Sequence, residues 1–269
     1  MTEFRLNFHQ TFPPSAEYIL RLLEICGSNE ALSKEDISER TGIPTGKSSG
    51  KVEPNICYAE YMGLLADTRN EGKHILSLTP LGEEVLQQDP GFQEKVTTAI
   101  CHVRLSSPYY GASLWKVLFK DIIPLYQGEI GNNVLADELN KHFGKAVKTG
   151  PLFSAYEGML KNLNLIRKGT QGIVLNRQKI DKELLFVYAY ALLYEWNYTY
   201  HNQPEITEDE VLRLGIHSTF LLSRESFYGV LEQIAEKGII RFNRQLSPFT
   251  LIRLHSAEDV IPLLYSELC

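Results

Sequence analysis

The residues able to do chemistry in this chain are mostly cations. Between Lys141 and Lys179 stand Lys141, Lys145, Lys148, Lys161, Arg167, Lys168, Arg177 and Lys179 against one acid, Glu157, a local charge of +7. Such a set suits a polyanion: each phosphate neutralised releases condensed counterions, so affinity falls steeply as salt rises. The plain alternative is a solvated face, which charge runs usually are. A smaller set, Lys237, Arg241, Arg244 and Arg253, has no acid between its members, and for it the plain reading weighs at least as much.

A second kind of site lies at Gly42-Ile43-Pro44-Thr45-Gly46-Lys47-Ser48. It is not a nucleotide-binding loop, which needs four residues between its glycines and a buried strand before it; here there are three, after a polar helix. Yet Lys47, Ser48, Ser49 and Lys51 place small donors and cations at a helix start, with no acid before Glu53. Helix N-termini attract phosphate. Asn55 follows in that helix, and an amide can pair bidentately with adenine; Tyr58 lies one turn on, and Lys73 and His74 fall at the tip of a ribbon. A solvated turn is the competing reading.

Other chemistries find less support. The seven histidines (His9, His74, His102, His142, His201, His217, His255) form no HxxxH or HExxH, and no GxSxG occurs. Phosphodiester cleavage with Mg²⁺ needs two or three acids converging in space. Glu205, Glu208, Asp209 and Glu210, or Asp36 with Glu39, are candidates, but the first set is better explained as acids complementing a helix N-terminus. Tyr188, Tyr190, Tyr194, Trp196, Tyr198 and Tyr200 could stack on bases; packing is the commoner role of such a cluster.

The elements that must carry these residues follow from periodicity and caps. Ser15 begins a helix with Tyr18, Ile19, Leu22, Leu23 and Cys26 on one face, ended by Gly27. Ser33-Lys34-Glu35-Asp36 is a capping box opening a second helix. A third starts between Lys51 and Pro54, since proline is tolerated in a first turn. Strands flank Asn70–Lys73, and Pro80 opens another helix. Helix, helix–turn–helix, then ribbon is the order of a winged helix, whose second helix of the pair can enter the major groove. The ending recurs twice: Ala155–Lys161 leads through Asn164-Leu165-Ile166 to a ribbon turning at Gly169–Gly172, and Ser226–Glu232 leads through Gly238-Ile239-Ile240 to one turning near Gln245–Pro248.

The expected fold is therefore mainly α with short β-ribbons (α+β), as tandem winged-helix-like units joined by helical spacers. The expected domains are 1–85, an N-terminal winged-helix-like domain; 86–180, a spacer plus a second, basic unit; and 181–269, a helical segment plus a third unit. Across 269 residues, 27 Lys and Arg face 33 Asp and Glu, a net charge of −6. That argues against indiscriminate coating of nucleic acid but leaves site-specific binding open, because binding depends on local charge. The longest apolar run, Leu184–Leu193, is too short to span a membrane. Met1–Arg5 lacks the layout of a signal peptide. Cys26, Cys57, Cys101 and Cys269 form no CxxC, which fits a reducing cytoplasm.

Phe8-His9-Gln10-Thr11-Phe12-Pro13, Tyr61-Met62-Gly63-Leu64-Leu65 and Leu78-Thr79-Pro80-Leu81-Gly82-Glu83 resemble segments of a bacterial family known as domain of unknown function 4007. The family includes SspB-type proteins of DNA phosphorothioation and phage-defence systems, and the resemblance covers about the first 120 residues. The chain departs from the family opening at Asn7-Phe8 and Ser15-Ala16-Glu17-Tyr18. The resemblance implies a DNA-binding protein that nicks one strand, an endonuclease preceding sulfur insertion. It also implies partners: a cysteine desulfurase, an ATP-using sulfurtransferase and an ATPase. It transfers no catalytic residue.

The reading is a cytoplasmic component binding double-stranded DNA, with Mg²⁺ the cofactor if it cleaves. Lys47, Ser48, Ser49, Lys51, Asn55, Tyr58, Lys73 and His74 would contact DNA from the first unit, Asn55 at a base edge. Lys145, Lys148, Lys161, Arg167 and Lys168 would hold phosphates. A non-catalytic winged-helix transcriptional regulator and a protein-docking scaffold are the alternatives.

Overall fold

A computed structural model describes residues 6–46, 50–245 and 247–268. It is of the α+β class, helices with small antiparallel sheets, as the sequence leads one to expect. The chain divides into two compact units, residues 1–117 with 136–164, and residues 118–135 with 165–269.

The first unit begins with α1 (Ala16–Glu24), α2 (Lys34–Thr41) and α3 (Val52–Tyr61). Ser15 Oγ accepts from the Tyr18 amide, and Ser33 and Asp36 close the capping box read from the sequence. β1 (Leu65–Asn70) and β2 (Lys73–Leu78) form a hairpin. Leu32, between α1 and α2, bridges to His74 and adds a third member to that ribbon. α4 (Pro80–Gln88) starts under a Thr79 cap; α5 (Lys95–Leu105), α6 (Ser113–Lys116), α7 (Asn132–Phe143, through which the division runs) and α8 (Gly150–Glu157) follow. Phe8, Tyr58 and Tyr61 pack edge to face, with Trp115 edge-on to Tyr58. These rings are buried, and such pairs favour an edge-on geometry because ring faces are negative and edges positive.

The second unit holds two three-stranded antiparallel sheets. β3 (Glu129–Gly131), β4 (Ile166–Lys168) and β5 (Gly172–Leu175) are ordered β3-β5-β4. β6 (Glu205–Thr207), β7 (Ile240–Asn243) and β8 (Thr250–Arg253) are ordered β6-β8-β7. α9 (Leu185–Thr199) is buried at every position from Leu185 to Trp196, so it is a core helix. α10 (Glu208–Arg213), α11 (Ile216–Thr219), α12 (Arg224–Glu236) and α13 (Ala257–Val260) complete the unit, and α11, α12 and α13 pack on α9. The tyrosines of α9 up to Tyr194, with Trp196, are therefore packing residues. Among the described residues no helix is long and apolar enough to cross a membrane.

The three helix exits share a physical cause. Gly63, Asn164 and Gly238 have φ of 72°, 48° and 74°, the left-handed conformation that ends helices and that Gly and Asn adopt at least cost. Each exit is followed at once by an apolar pair, buried in all three cases: Leu64-Leu65, Leu165-Ile166 and Ile239-Ile240.

Candidate nucleic-acid interface

Of the first expected contact surface, Asn55, Tyr58 and His74 are corrected, because all three are buried. Lys47, Ser48 and Ser49 lie outside the described residues. Lys51 is the N-cap of α3, and its Nζ lies 5.6 Å from the ring centroids of both Phe12 and Tyr18. Asn55 is 1% exposed. Its Oδ1 accepts from the Ser15 amide at 3.1 Å and its Nδ2 donates to the Lys51 carbonyl at 2.8 Å. A base edge cannot reach a buried amide whose oxygen ties α3 to the start of α1 and whose nitrogen is bonded to the N-cap carbonyl of α3 itself. Tyr58 is 0% exposed and donates its hydroxyl to the Phe12 carbonyl at 3.1 Å; burial pushes its pKa far up. The part-exposed positions of α3 include Glu53, Cys57 and Glu60, and its two acids repel phosphate.

His74 is corrected as well. It is 1% exposed, with Nδ1 2.9 Å from Asp67 Oδ2 and Nε2 3.3 Å from Glu53 Oε1. Arg69 joins both acids, at 2.8 Å to Glu53 and 3.1 Å to Asp67. Burial pulls the His74 pKa down, but the hydrogen bonds to Asp67 and Glu53 outweigh it and raise it to about 9. The bond from His74, aided by Arg69 against the cost of burial, holds the Glu53 carboxyl down at about 2. The four residues lock the ribbon to α3. Lys73 alone of the expected ribbon contacts stays exposed.

The middle cations are arranged differently. Lys145, Lys148 and Lys161 in the first unit, and Arg167 and Lys168 on β4 in the second, are all exposed. Among the described residues none of these five is in an ion pair, whereas Lys141 is bound to Glu138 at 2.8 Å. Arg167 and Lys168 sit opposite Val174 and Ile173 in the ladder, so no cross-strand acid faces them. The third basic set contrasts with this: Lys237 pairs with Glu267, Arg244 with Glu232, and Arg253 lies over the Trp196 ring at 5.8 Å. Its charges are largely spent within the protein.

The acids give no cage. Asp36 and Glu210 close capping boxes, and Glu208 accepts from the Tyr228 hydroxyl at 2.5 Å. Among the described residues no three of His, Cys, Asp and Glu come together as a group that could hold a metal ion. One group of residues escaped the sequence reading. A cavity in the second unit, of about 520 Å³, gathers Arg177, Gln178, His217, Ser223 and Arg224. These come from separate parts of the chain, and only Arg177 stands in a basic run.

No family model matches this chain, and no curated protein matches it in sequence. Two solved structures do match in fold. One is a crystal structure of SspB, at a TM-score of 0.75 and 14% identity; the other is a magnesium ion-bound crystal structure of SspB, at 0.73 and 15%. Each alignment covers 99% of this chain and 88% of the other. At that identity the likeness speaks for the backbone alone, and over its whole length this chain has the SspB type of fold.

Proposed function

We propose that this protein is a duplex-DNA-binding component of a DNA phosphorothioation and defence system. The observation that carries the reading is the set of five exposed cations, Lys145, Lys148, Lys161, Arg167 and Lys168, that no carboxylate neutralises among the described residues of a chain with net charge −6. Basic side chains not consumed internally are available to phosphates, and phosphate contacts position a protein on a duplex without reading its sequence. The SspB-type backbone supports the choice of system. With Asn55 and Tyr58 in the core, the chain binds DNA chiefly through the phosphate backbone of the duplex. The partners expected with such a system are a cysteine desulfurase, an ATP-using sulfurtransferase and an ATPase.

The test is incubation with supercoiled plasmid in Mg²⁺, Mn²⁺ or EDTA, beside a bandshift on linear duplex. A salt-sensitive shift is the expected result. Conversion to open circles in the metal arms and not in EDTA adds strand nicking to the function. Absence of any shift at low salt, with salt-sensitive capture of a protein partner instead, replaces this reading with that of a docking scaffold.

A further inference from the structure

The cavity beside α12 has the composition of an anion site. Its cationic wall is Arg177 and Arg224, with no acid lining it, and its apolar wall is Ile123, Pro124 and Leu222. Both arginines are exposed, and among the described residues neither is in an ion pair. Their proximity is built into the backbone. The Gln178 amide donates to the Leu221 carbonyl at 3.2 Å, which fixes the segment after β5 against the link between α11 and α12. Ser223, also on the lining, caps α12 by accepting from the Ser226 amide at 3.0 Å. The amides of Arg224 and Glu225 open that helix of 13 residues, where first-turn amides have no intrahelical acceptor and the dipole favours negative charge.

His217 stands beside the two arginines. It lines the same cavity, and its Nδ1 is buried with no hydrogen-bond partner among the described residues. Burial, then the nearby cations Arg224, Lys120 and Arg177, push the His217 pKa down to about 4. The ring is therefore neutral at pH 7 and adds no positive charge of its own to the lining. A second cavity of about 460 Å³ adjoins the first through shared Pro124, His217, Ser218 and Arg224. There Lys120 is held by Glu195 at 3.7 Å and by the Leu214 carbonyl at 2.8 Å.

We infer that the cavity of the second unit binds a phosphate monoester. The doubly charged phosphoryl group lies between Arg177, Arg224 and the start of α12, and leaves the organic part against Ile123, Pro124 and Leu222. Guanidinium groups and helix N-termini are matched to a phosphoryl group in charge and geometry, and about 520 Å³ is the size of a small-ligand pocket. A free nucleotide and the 5′-phosphate of a DNA end share this chemistry. The site goes beyond the DNA-binding reading and does not rest on it, since a mononucleotide reports on it with no duplex present.

The experiment is calorimetry on the full chain with deoxyadenosine 5′-monophosphate, deoxyadenosine and inorganic phosphate, followed by blunt duplexes bearing a 5′-phosphate or a 5′-hydroxyl. The monophosphate and inorganic phosphate bind and the nucleoside does not. Arg177→Ala and Arg224→Ala each weaken monophosphate binding roughly tenfold or more, the worth of a charge-assisted hydrogen bond, while Lys182→Ala, the same charge loss elsewhere on the second unit, leaves it unchanged. The His217 ring signals shift in NMR on saturation. Preference for the 5′-phosphorylated duplex over the hydroxyl form identifies a DNA end as the source; equal duplex binding with retained monophosphate binding identifies a free nucleotide. The site is refuted if the wild type binds neither monophosphate nor phosphate, or if both alanine variants, folded by their melting curves, bind as the wild type does.

Discussion

His74 shows how far a single side chain can depart from its apparent role. By position it is a polar residue at a ribbon tip; in the fold it is a charged imidazole between two carboxylates. Its pKa of about 9 exceeds the ordinary 6.5, so its contribution to stability is full below pH 6.5 and is lost as pH rises through 9. Glu53, at about 2 against an ordinary 4.5, contributes fully above pH 4.5 and loses its part as pH falls toward 2. The ribbon should therefore be most stable between about pH 4.5 and 6.5, which amide exchange over β1 and β2 from pH 4 to 9.5 would measure. His74→Ala leaves Asp67 and Glu53 with Arg69 as their one cationic partner and should cost about 3 kcal/mol at pH 6, the lower end of the scale for removing one member of a buried pair, with a much smaller difference from wild type above pH 9. Asn55 makes the same point without charge. Asn55→Ala should lower stability by about 1–2 kcal/mol, through loss of two hydrogen bonds in the core, and leave DNA sequence preference unaltered. A relaxed preference in a stable variant would restore it to the interface.

Among the elements, the closest approaches are made by glycines. Gly82 in the first turn of α4 donates its amide to Thr79 Oγ1 at 3.0 Å, and a Cβ there would stand 1.8 Å from the Leu64 carbonyl oxygen. No L side chain fits without moving α4 off the helix exit at Gly63 and Leu64. Gly82→Ala should destabilise the first unit by about 3 kcal/mol, at the upper end of the cost of overpacking, seen as an earlier melt. An unchanged melting temperature would mean that α4 moves freely. Gly172 plays the matching part in β5, where a Cβ would stand 2.0 Å from the Ile130 carbonyl oxygen of β3. In the sequence Gly172 reads as the close of a turn, and it is one, but the third strand it admits is three residues long and carries no alternation to betray it. β6 is equally short, and Leu32 pairs as a single bridge.

For the molecule as a whole, the decisive quantity is the charge left over after internal pairing. The double variant Arg167→Ala, Lys168→Ala should weaken duplex binding equally across sequences and reduce the slope of log affinity against log salt by roughly 2, one unit per phosphate contact. Titrations at several salt concentrations would measure this, and wild-type affinity and slope in the variant would remove β4 from the interface. Helix caps, helix exits and the α+β class were determined by the sequence alone, because they depend on residues within a turn or two of each other. The burial of Tyr188, Tyr190 and Tyr194 in α9 was legible in the same way, from a long apolar run. Tertiary structure alone decided which polar residues remain available. Asn55 and His74 were drawn inward by partners 40 and 21 residues away, and Arg177, His217 and Arg224 were brought to one cavity. A side chain's charge and reach are properties of its type, but its exposure and its partners are set by which distant segments pack against it.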